Sequence, residues 1–248
     1  MNASPYSLDG KVILVTGASS GIGRACAIMA SQMGARLVIT GRNEERLQES
    51  LAALNGSGHT ALPMDLQDVA AMPEWVQSLM PLDGVVHAAG LAQVVPFRMI
   101  RENHLDELMH VNFKAPMLLT QQMLMQRKIN SQASLVFITA VADHVAPVGT
   151  AVYAATKAAL TSAVRSLALE GSKHKIRANC VSPGYVNTPM FERLSSTTSV
   201  DKLQQLSYFG LIEAEDIASS VMYLLSNASR WVTRSSLVVD GGITIPVR

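Results

Sequence analysis

Thr16-Gly17-Ala18-Ser19-Ser20-Gly21-Ile22-Gly23 is the stretch whose reading decides the fold. It ends Lys11–Thr16, a short run rich in Val and Ile of the kind that forms a strand buried on both faces. After it, Ile22–Met33 has helical composition, and Gly34 stands where a helix C-cap belongs. Glycines carry meaning in such a strand–turn–helix setting and little outside it. Gly17 permits a tight turn, while Gly21 and Gly23 let backbone approach a pyrophosphate and let the helix pack closely. The helix N-terminus then offers unpaired N–H groups and partial positive charge to the phosphates. The reading is a dinucleotide-binding α/β domain, with an ordinary glycine turn as the plainer alternative.

Outward from this turn, apolar runs and amphipathic stretches alternate along the chain. Strands are expected at Arg36–Thr40, near His59–Pro63, and at Gly84–His87, Ser134–Thr139, Ile176–Ser182 and Ser236–Val239. Helices are expected at Asn43–Leu54, about Asp68–Leu79, Arg101–Val111, Phe113–Lys128, Val152–Gly171 and Glu213–Leu225. Such alternation predicts right-handed crossovers and a Rossmann-type doubly wound α/β fold: seven strands, mostly parallel, with helices on both faces. No linker, low-complexity tract or repeat interrupts it, so residues 1–248 are expected to form one domain. The polar stretch at about 188–210 breaks the rhythm beyond one strand end, where open parallel sheets bind ligands. It reads as a substrate lid, with an inert surface excursion as the alternative.

The 248 residues suffice for a substantial core, and 48% hydrophobic with 16% charged residues is ordinary globular composition. A formal charge of +1 gives no reason to expect nucleic acid or an anionic membrane as partner. No apolar run approaches the roughly 20 residues that span a bilayer. The start of the chain lacks a basic-then-apolar segment, so a cytoplasmic address is expected. Cys26 and Cys180 read as reduced buried thiols, and the six histidines show no ligand spacing, so no metal is expected.

The second strand runs into Thr40-Gly41-Arg42, where a site for NAD(H) would offer a carboxylate to the ribose 2′-OH. Arg42 instead presents a guanidinium suited to a 2′-phosphate, which favours NADP(H), with NAD(H) or a merely exposed arginine as alternatives. Asp65, past the third strand, is placed to meet the adenine rim or to cap a helix. Tyr153 and Lys157 stand four apart at the start of a long helix, on one face. An ammonium there favours the phenolate and is expected to lower the tyrosine pKa from about 10, bringing it into acid–base range.

Taken together, these motifs resemble the short-chain dehydrogenase/reductase family over Gly10 to Gly242. Ala88-Ala89-Gly90 sits at the family's Asn-Asn-Ala-Gly, and Asn112 matches its catalytic asparagine. Ser182-Pro183-Gly184-Tyr185-Val186-Asn187-Thr188 is similar to its nicotinamide-holding loop, and Val239-Asp240-Gly241-Gly242 to its C-terminal signature. The resemblance implies hydride transfer between nicotinamide and a carbonyl or carbinol carbon, with Tyr153 moving the proton. Lys157 would bind the nicotinamide ribose, and Asn112 would hold a relay water. The same resemblance places Ser19, Ser20, Ile22, Leu66, Ala89, Gly90, Pro183, Gly184, Val186 and Thr188 around the cofactor.

The sequence also departs from the family. The serine expected thirteen residues before the tyrosine is Ala140, which has no hydroxyl to offer a substrate oxygen. Thr139 is adjacent but belongs to the opposite strand face. An oxyanion-type donor is worth on the order of 100- to 1000-fold in rate. Three explanations stay open: an introduced serine-to-alanine change, an enzyme using another donor, or a catalytically idle dinucleotide-binding sensor or scaffold. His87 and Ala88 replace the motif's two asparagines, and Arg234 replaces a glycine.

Met190, Phe191, Leu194, Leu203, Leu206, Tyr208 and Phe209 are candidates to line a partly apolar substrate pocket, or simply to pack. His144, Val148 and Tyr185 fall near the expected mouth and are candidates for contact with a small carbonyl or alcohol substrate. Lys173, His174 and Lys175 read as a solvated helix end rather than a docking site for an acidic carrier. By family analogy the chain is expected to form homotetramers or homodimers, through the helix of Tyr153 and the last strand. The face of Ala154, Ala158, Leu160, Val164 and Leu167 suits that role or packing on the sheet.

Overall fold

The computed structural model describes residues 4–195 and 209–244. Its centre is one sheet in the order β3-β2-β1-β4-β5-β6-β7. The strands are β1 (Val12–Thr16), β2 (Arg36–Thr40), β3 (Thr60–Ala61), β4 (Leu82–His87), β5 (Ile129–Ile138), β6 (Arg177–Pro183) and β7 (Ser236–Val239). Every pairing is parallel, so "mostly parallel" becomes wholly parallel. The order reverses between β1 and β4, and their C-terminal ends lie side by side, Thr16 opposite His87. That junction is the switch point where an open α/β sheet leaves a crevice.

The helices are α1 (Gly21–Gln32), α2 (Glu44–Ala52), α3 (Met72–Ser78), α4 (Glu102–Met109), α5 (Ala115–Met125), α6 (Ala142–Val145), α7 (Ala151–Gly171), α8 (Pro189–Ser195) and α9 (Ala214–Leu225). On one face, α1 lays Ala25, Cys26, Ala27 and Ala30 against the sheet and α9, which contributes Ile217, Ala218 and Val221. On the other, Leu119 and Met123 of α5 and Leu160, Val164 and Ala168 of α7 close a second core with Val85, Leu135 and Phe137. Strands buried on both sides need apolar sequence. The β1 strand is apolar nearly throughout, β4 and β5 are so over Val85–Val86 and Leu135–Ile138, and β6 interleaves Ala178, Cys180 and Val181 with polar residues. Leu160 and Val164 therefore pack on the sheet, leaving Ala158 exposed. Among the described residues no helix is long and apolar enough to cross a membrane.

Several boundaries differ from expectation for local reasons. The α3 helix starts at Met72 because the preceding aspartates turn the chain: Gln67 N donates to Asp65 Oδ1 at 2.9 Å and Ala71 N to Asp68 Oδ1 at 3.1 Å. The β5 strand begins at Ile129, its pairing with β4 slipping between Leu82 and Gly84 while Gln132 adopts φ +68°, so it reads as an irregular strand. The two helices expected around Asn112 are one helical path, joined by a π-helical turn at His110–Lys114. Such turns often mark functional positions. Arg234 sits at φ +62°, in the left-handed region that a glycine fills without strain.

Candidate active site

The turn after β1 is shaped by close backbone approach. A Cβ on Gly17, at φ +67°, would lie 2.7 Å from Ala89 N and 2.8 Å from Ala89 Cα. A Cβ on Gly23 would collide with the Gly17 carbonyl, and one on Gly21 would meet Thr188 Cγ2 at 3.2 Å. Ser20 stands at the N-cap of α1 without spending its side chain on a cap bond, and no acidic residue occupies the first turn. The helix N-terminus thus keeps its donors and its partial positive charge for an anion.

This turn opens into a cleft of about 840 Å³, lined by Ser19, Ser20, Ile22, Gly23, Arg42, Arg46, Asp65, Leu66, Ala89, Gly90, Val111 and Thr188 among others. Backbone donors, the glycine cradle and this volume fit a dinucleotide. Arg42 and Arg46 are exposed one helical turn apart, and neither has an ion-pair partner among the described residues. Arg46 escaped the sequence reading; its signal was the four-residue spacing from Arg42 at the start of α2. Asp65 lines the cleft and its Oδ1 accepts from Gln67 N in the turn before α3; the N-cap of α3 is Ala71, so Asp65 does not cap that helix.

The floor of the cleft is tied to the strand ends. Thr16 Oγ1 accepts from Ala88 N and Ala89 N, both at 3.2 Å, and pins the loop after β4 to β1. Next along this loop, Leu91 N donates to Asn112 Oδ1 and Leu91 O accepts from Asn112 Nδ2, each at 2.8 Å. Asn112 Nδ2 also donates to Thr156 Oγ1 at 3.1 Å. Gly90 lies between these ties, where an added Cβ would stand 3.3 Å from Asn112 Oδ1 and 3.6 Å from Lys157 Nζ. The structure therefore brings Asn112 and Lys157 together against the same loop that floors the cleft.

Lys157 is buried and donates to Ile138 O at 2.9 Å, with its Nζ 5.7 Å from the centre of the Tyr153 ring. Burial lowers its pKa from 10.5 to about 8, partly opposed by Cys180 and Asp143. Tyr153 moves the other way from expectation. Its phenol is raised above 10.0, first by burial and then by the Asp143 carboxylate. The ammonium is engaged by the Ile138 carbonyl, and Ala140 beside the ring offers no donor to a phenolate, so desolvation wins.

A family model described as enoyl-(acyl carrier protein) reductase matches residues 17–244. The chain is 30% identical over 250 residues to gluconate 5-dehydrogenase of Gluconobacter oxydans, covering 97% of both chains. It is 32% identical over 252 residues to human (3R)-3-hydroxyacyl-CoA dehydrogenase, covering 95% and 96%. A dehydrogenase/reductase from Sinorhizobium meliloti superposes with a TM-score of 0.88 at 29% identity, over 97% of each chain. The chain belongs to the short-chain dehydrogenase/reductase family. It is an oxidoreductase fold of the class that acts on alcohols and carbonyls.

As a short-chain dehydrogenase/reductase it carries its departures in well-packed places. His87 is buried, stacked on Phe137 at 4.4 Å between ring centres, with its Nε2 3.0 Å from Thr120 Oγ1. Burial lowers its pKa from 6.5 to about 3, so it is a neutral structural residue. Ala140 is buried against Ala142, Ala154 and Tyr153. Thr139 spends its hydroxyl on Val181 O at 3.1 Å, in the core and away from that wall. Both thiols are buried and pushed up to about 12 by burial, with no partner for a disulfide.

The loop after β6 is anchored where the motif suggests. Gly184 allows close passage of Asp240, whose Cα would be 2.9 Å from a Cβ there, and Gly184 N donates to Val239 O at 2.9 Å. Val186 bridges to Ile212, and Thr188 caps α8 by accepting from Phe191 N at 3.3 Å. Tyr185 is half-buried and tilted against Phe191, with 5.9 Å between ring centres. Phe191 is thus a packing residue, whereas Met190 faces the cleft. Val148 is 96% exposed on the loop before α7 and lines no part of the cleft. Of the other pocket candidates, Leu194 lies in α8, Phe209 is exposed, and Leu203, Leu206 and Tyr208 fall outside the described residues.

Proposed function

We propose that this chain is an NADP(H)-dependent oxidoreductase that interconverts a small carbonyl compound and its secondary alcohol, with Tyr153 as the acid–base group. The observation that carries the reading is the convergence on Gly90. The loop that floors the dinucleotide cleft is also the loop against which Asn112 and Lys157 stand. A scaffold that only bound a dinucleotide would have no use for that second half.

Arg42, assisted by Arg46, would hold the 2′-phosphate; Ser19, Ser20, Gly21 and Ile22 would bind the pyrophosphate; Asp65 and Leu66 would border the adenine. Pro183, Gly184, Val186 and Thr188 would orient the nicotinamide, which supplies the hydride when bound. Lys157, released from Ile138 O, would bind the adjacent ribose, and Asn112 would hold the relay. Burial keeps the Tyr153 phenol protonated but weakens it as an acid, and the Lys157 ammonium brought closer to its oxygen would offset that rise and return it toward acid–base range. The exposed apolar groups Trp231, Leu237 and Val238 near the free edge of β7 support assembly with further copies of this chain. Two reduced thiols fit the expected cytoplasmic address.

The test pairs binding with turnover. Tyr153→Phe is expected to retain NADPH binding by fluorescence titration while NADPH oxidation with a carbonyl panel falls by roughly 100- to 10 000-fold. Turnover in the Tyr153→Phe protein equal to the parent's would refute the assignment.

A further inference from the structure

The three residues expected at the substrate mouth part company in the structure. His144 Nε2 faces Asp143 Oδ1 at 3.4 Å and lines no part of the cleft, and Tyr185 rests on Phe191. Val148 is 96% exposed, in a turn that is closed twice. Thr150 N and Thr150 Oγ1 both donate to Pro147 O, at 3.0 and 2.7 Å. Gly149, at φ +82°, supplies the left-handed residue that such a turn needs. A β-branched apolar side chain is thus held out in water by a fixed turn. That turn leads directly into α7, whose first turn carries Tyr153.

The turn is joined to the loop after β4. Val95 N donates to Gly149 O at 2.8 Å, and a Cβ on Gly149 would stand 2.8 Å from Val94 Cγ1. Val94 and Val95 themselves line the cleft, and the same loop holds Gly90 beside Asn112 and Lys157. Val94 is 40% exposed, and two residues past Val95 comes Phe97, 80% exposed. The polar groups of this loop are drawn elsewhere: Gln93 Nε2 donates to Glu107 Oε2 at 2.7 Å, and Leu91 gives both main-chain groups to Asn112. An apolar rim therefore starts inside the cleft at Val94 and Val95 and continues outward to Val148 and Phe97. Apolar surface held in water at the mouth of a cleft marks a place that an apolar group covers.

We propose that the substrate is a carbonyl compound with an apolar arm, which leaves the cleft over Val94 and lies against Val148 and Phe97. The proposal rests on the oxidoreductase reading above and narrows its substrate class to ketones with a chain of several carbons. A polyhydroxylated chain would set its hydroxyls against this rim without partners. The occupant is substrate rather than a second copy of the chain, because Val94 and Val95 make the rim continuous with the cleft wall. The edge of β7 that suits pairing of copies is three strands away from β4. The rim residues touch the arm and not the reacting atoms, so they set specificity and take no part in proton or hydride transfer.

The experiment measures NADPH oxidation by the full chain with 2-butanone, 2-hexanone and 2-octanone, and with erythrulose. In the parent, kcat/KM is expected to rise about twofold per methylene, as for one half-covered by the rim, or roughly 16-fold from 2-butanone to 2-octanone. Val148→Asp is expected to reduce that span to roughly 2- to 4-fold, since a charge at the rim opposes burial of the arm. Met125→Asp, at an exposed apolar position ending α5, is expected to keep the span. Thermal melts and sedimentation are recorded for each variant, and Val148→Ser replaces the aspartate if that lowers the melt. A flat series in the parent, or reduction of erythrulose alone, would overturn the proposal and leave the oxidoreductase reading intact. An unchanged span in Val148→Asp would overturn it too, and a shift in sedimentation alongside would assign the rim to a second copy. Loss of the span in Met125→Asp as well would make the effect unspecific and overturn it. No turnover of any of the four compounds would overturn both readings.

Discussion

Replacing Gly17 by alanine separates two costs that usually arrive together. The backbone there is at φ +67°, where an L residue costs about 1–2 kcal/mol. In addition the new Cβ would stand 2.7 Å from Ala89 N, 2.8 Å from Ala89 Cα and 3.0 Å from Ala88 C. All three are backbone atoms, so no side chain can rotate aside. Relief requires moving the β4 loop away from β1, against the two 3.2 Å bonds that Thr16 Oγ1 accepts. At about 1 kcal/mol each, their loss brings the total to about 3–4 kcal/mol. For a chain of this size that corresponds to a Tm lower by about 6–16 °C.

Gly10 is the control, because it has a similar φ of +73° with nothing within 4 Å of an added Cβ. Gly10→Ala should show the backbone cost alone, about 2–8 °C, and should leave NADPH binding untouched. Gly17→Ala should lose both stability and affinity, measured by differential scanning calorimetry and fluorescence titration. Equal Tm losses in the two variants, with unchanged NADPH affinity in Gly17→Ala, would refute the reasoning.

Other consequences are equally open to measurement. Arg42→Ala should weaken NADPH by roughly 10- to 100-fold, the worth of a hydrogen bond to a charged group, and leave NADH unaffected in parallel titrations. An unchanged NADPH/NADH ratio would remove Arg42 from cofactor selection. His87 stays neutral in the folded chain down to about 3. An unfolded imidazole takes up its proton below about 6.5, so stability should decline as pH falls through that window, by up to about 1.4 kcal/mol per pH unit. His87→Asn should flatten that slope in urea melts at about pH 6.5 and about pH 5; an identical slope would discount the residue. Leu237→Asp on β7 should shift sedimentation toward smaller species if the last strand pairs copies, and a parent-like profile would exclude that edge.

What could be read from the chain beforehand followed from where one force dominates. The strands β1, β2 and β7 were legible because a doubly buried or short parallel strand has to be apolar and bounded by turn residues. The start of α3 was not, because the side chains of Asp65 and Asp68 take up backbone donors that helical composition alone would assign to the helix. Nor was the early half of β5, whose slip past Leu82 depends on the partner strand.

At the site, Gly17 and Gly23 announced their purpose because backbone stands where a Cβ would go, and Gly21 because its φ of +52° favours glycine. Tyr153 and Lys157 were legible as a pair, but the direction of the tyrosine shift was not. Proximity to an ammonium is a sequence-spacing argument, whereas desolvation depends on everything packed around the ring. Asp143 beside Tyr153 and the engagement of Thr139 by Val181 O likewise needed the third dimension, whereas the spacing of Arg46 from Arg42 was there in the chain.

The amide of Asn112 has a further consequence. Leu91 gives both its main-chain groups to this one side chain, as it would to a residue on an adjacent strand. In effect the side chain adds a rung to the ladder beyond His87, where β4 ends. A rung of this kind has a fixed length and polarity. Aspartate would present an acceptor to the Leu91 carbonyl, and glutamine would overreach by one methylene. The position therefore selects asparagine for its dimensions before any question of reactivity arises, and the loop holding Gly90 keeps its shape only while that rung is intact.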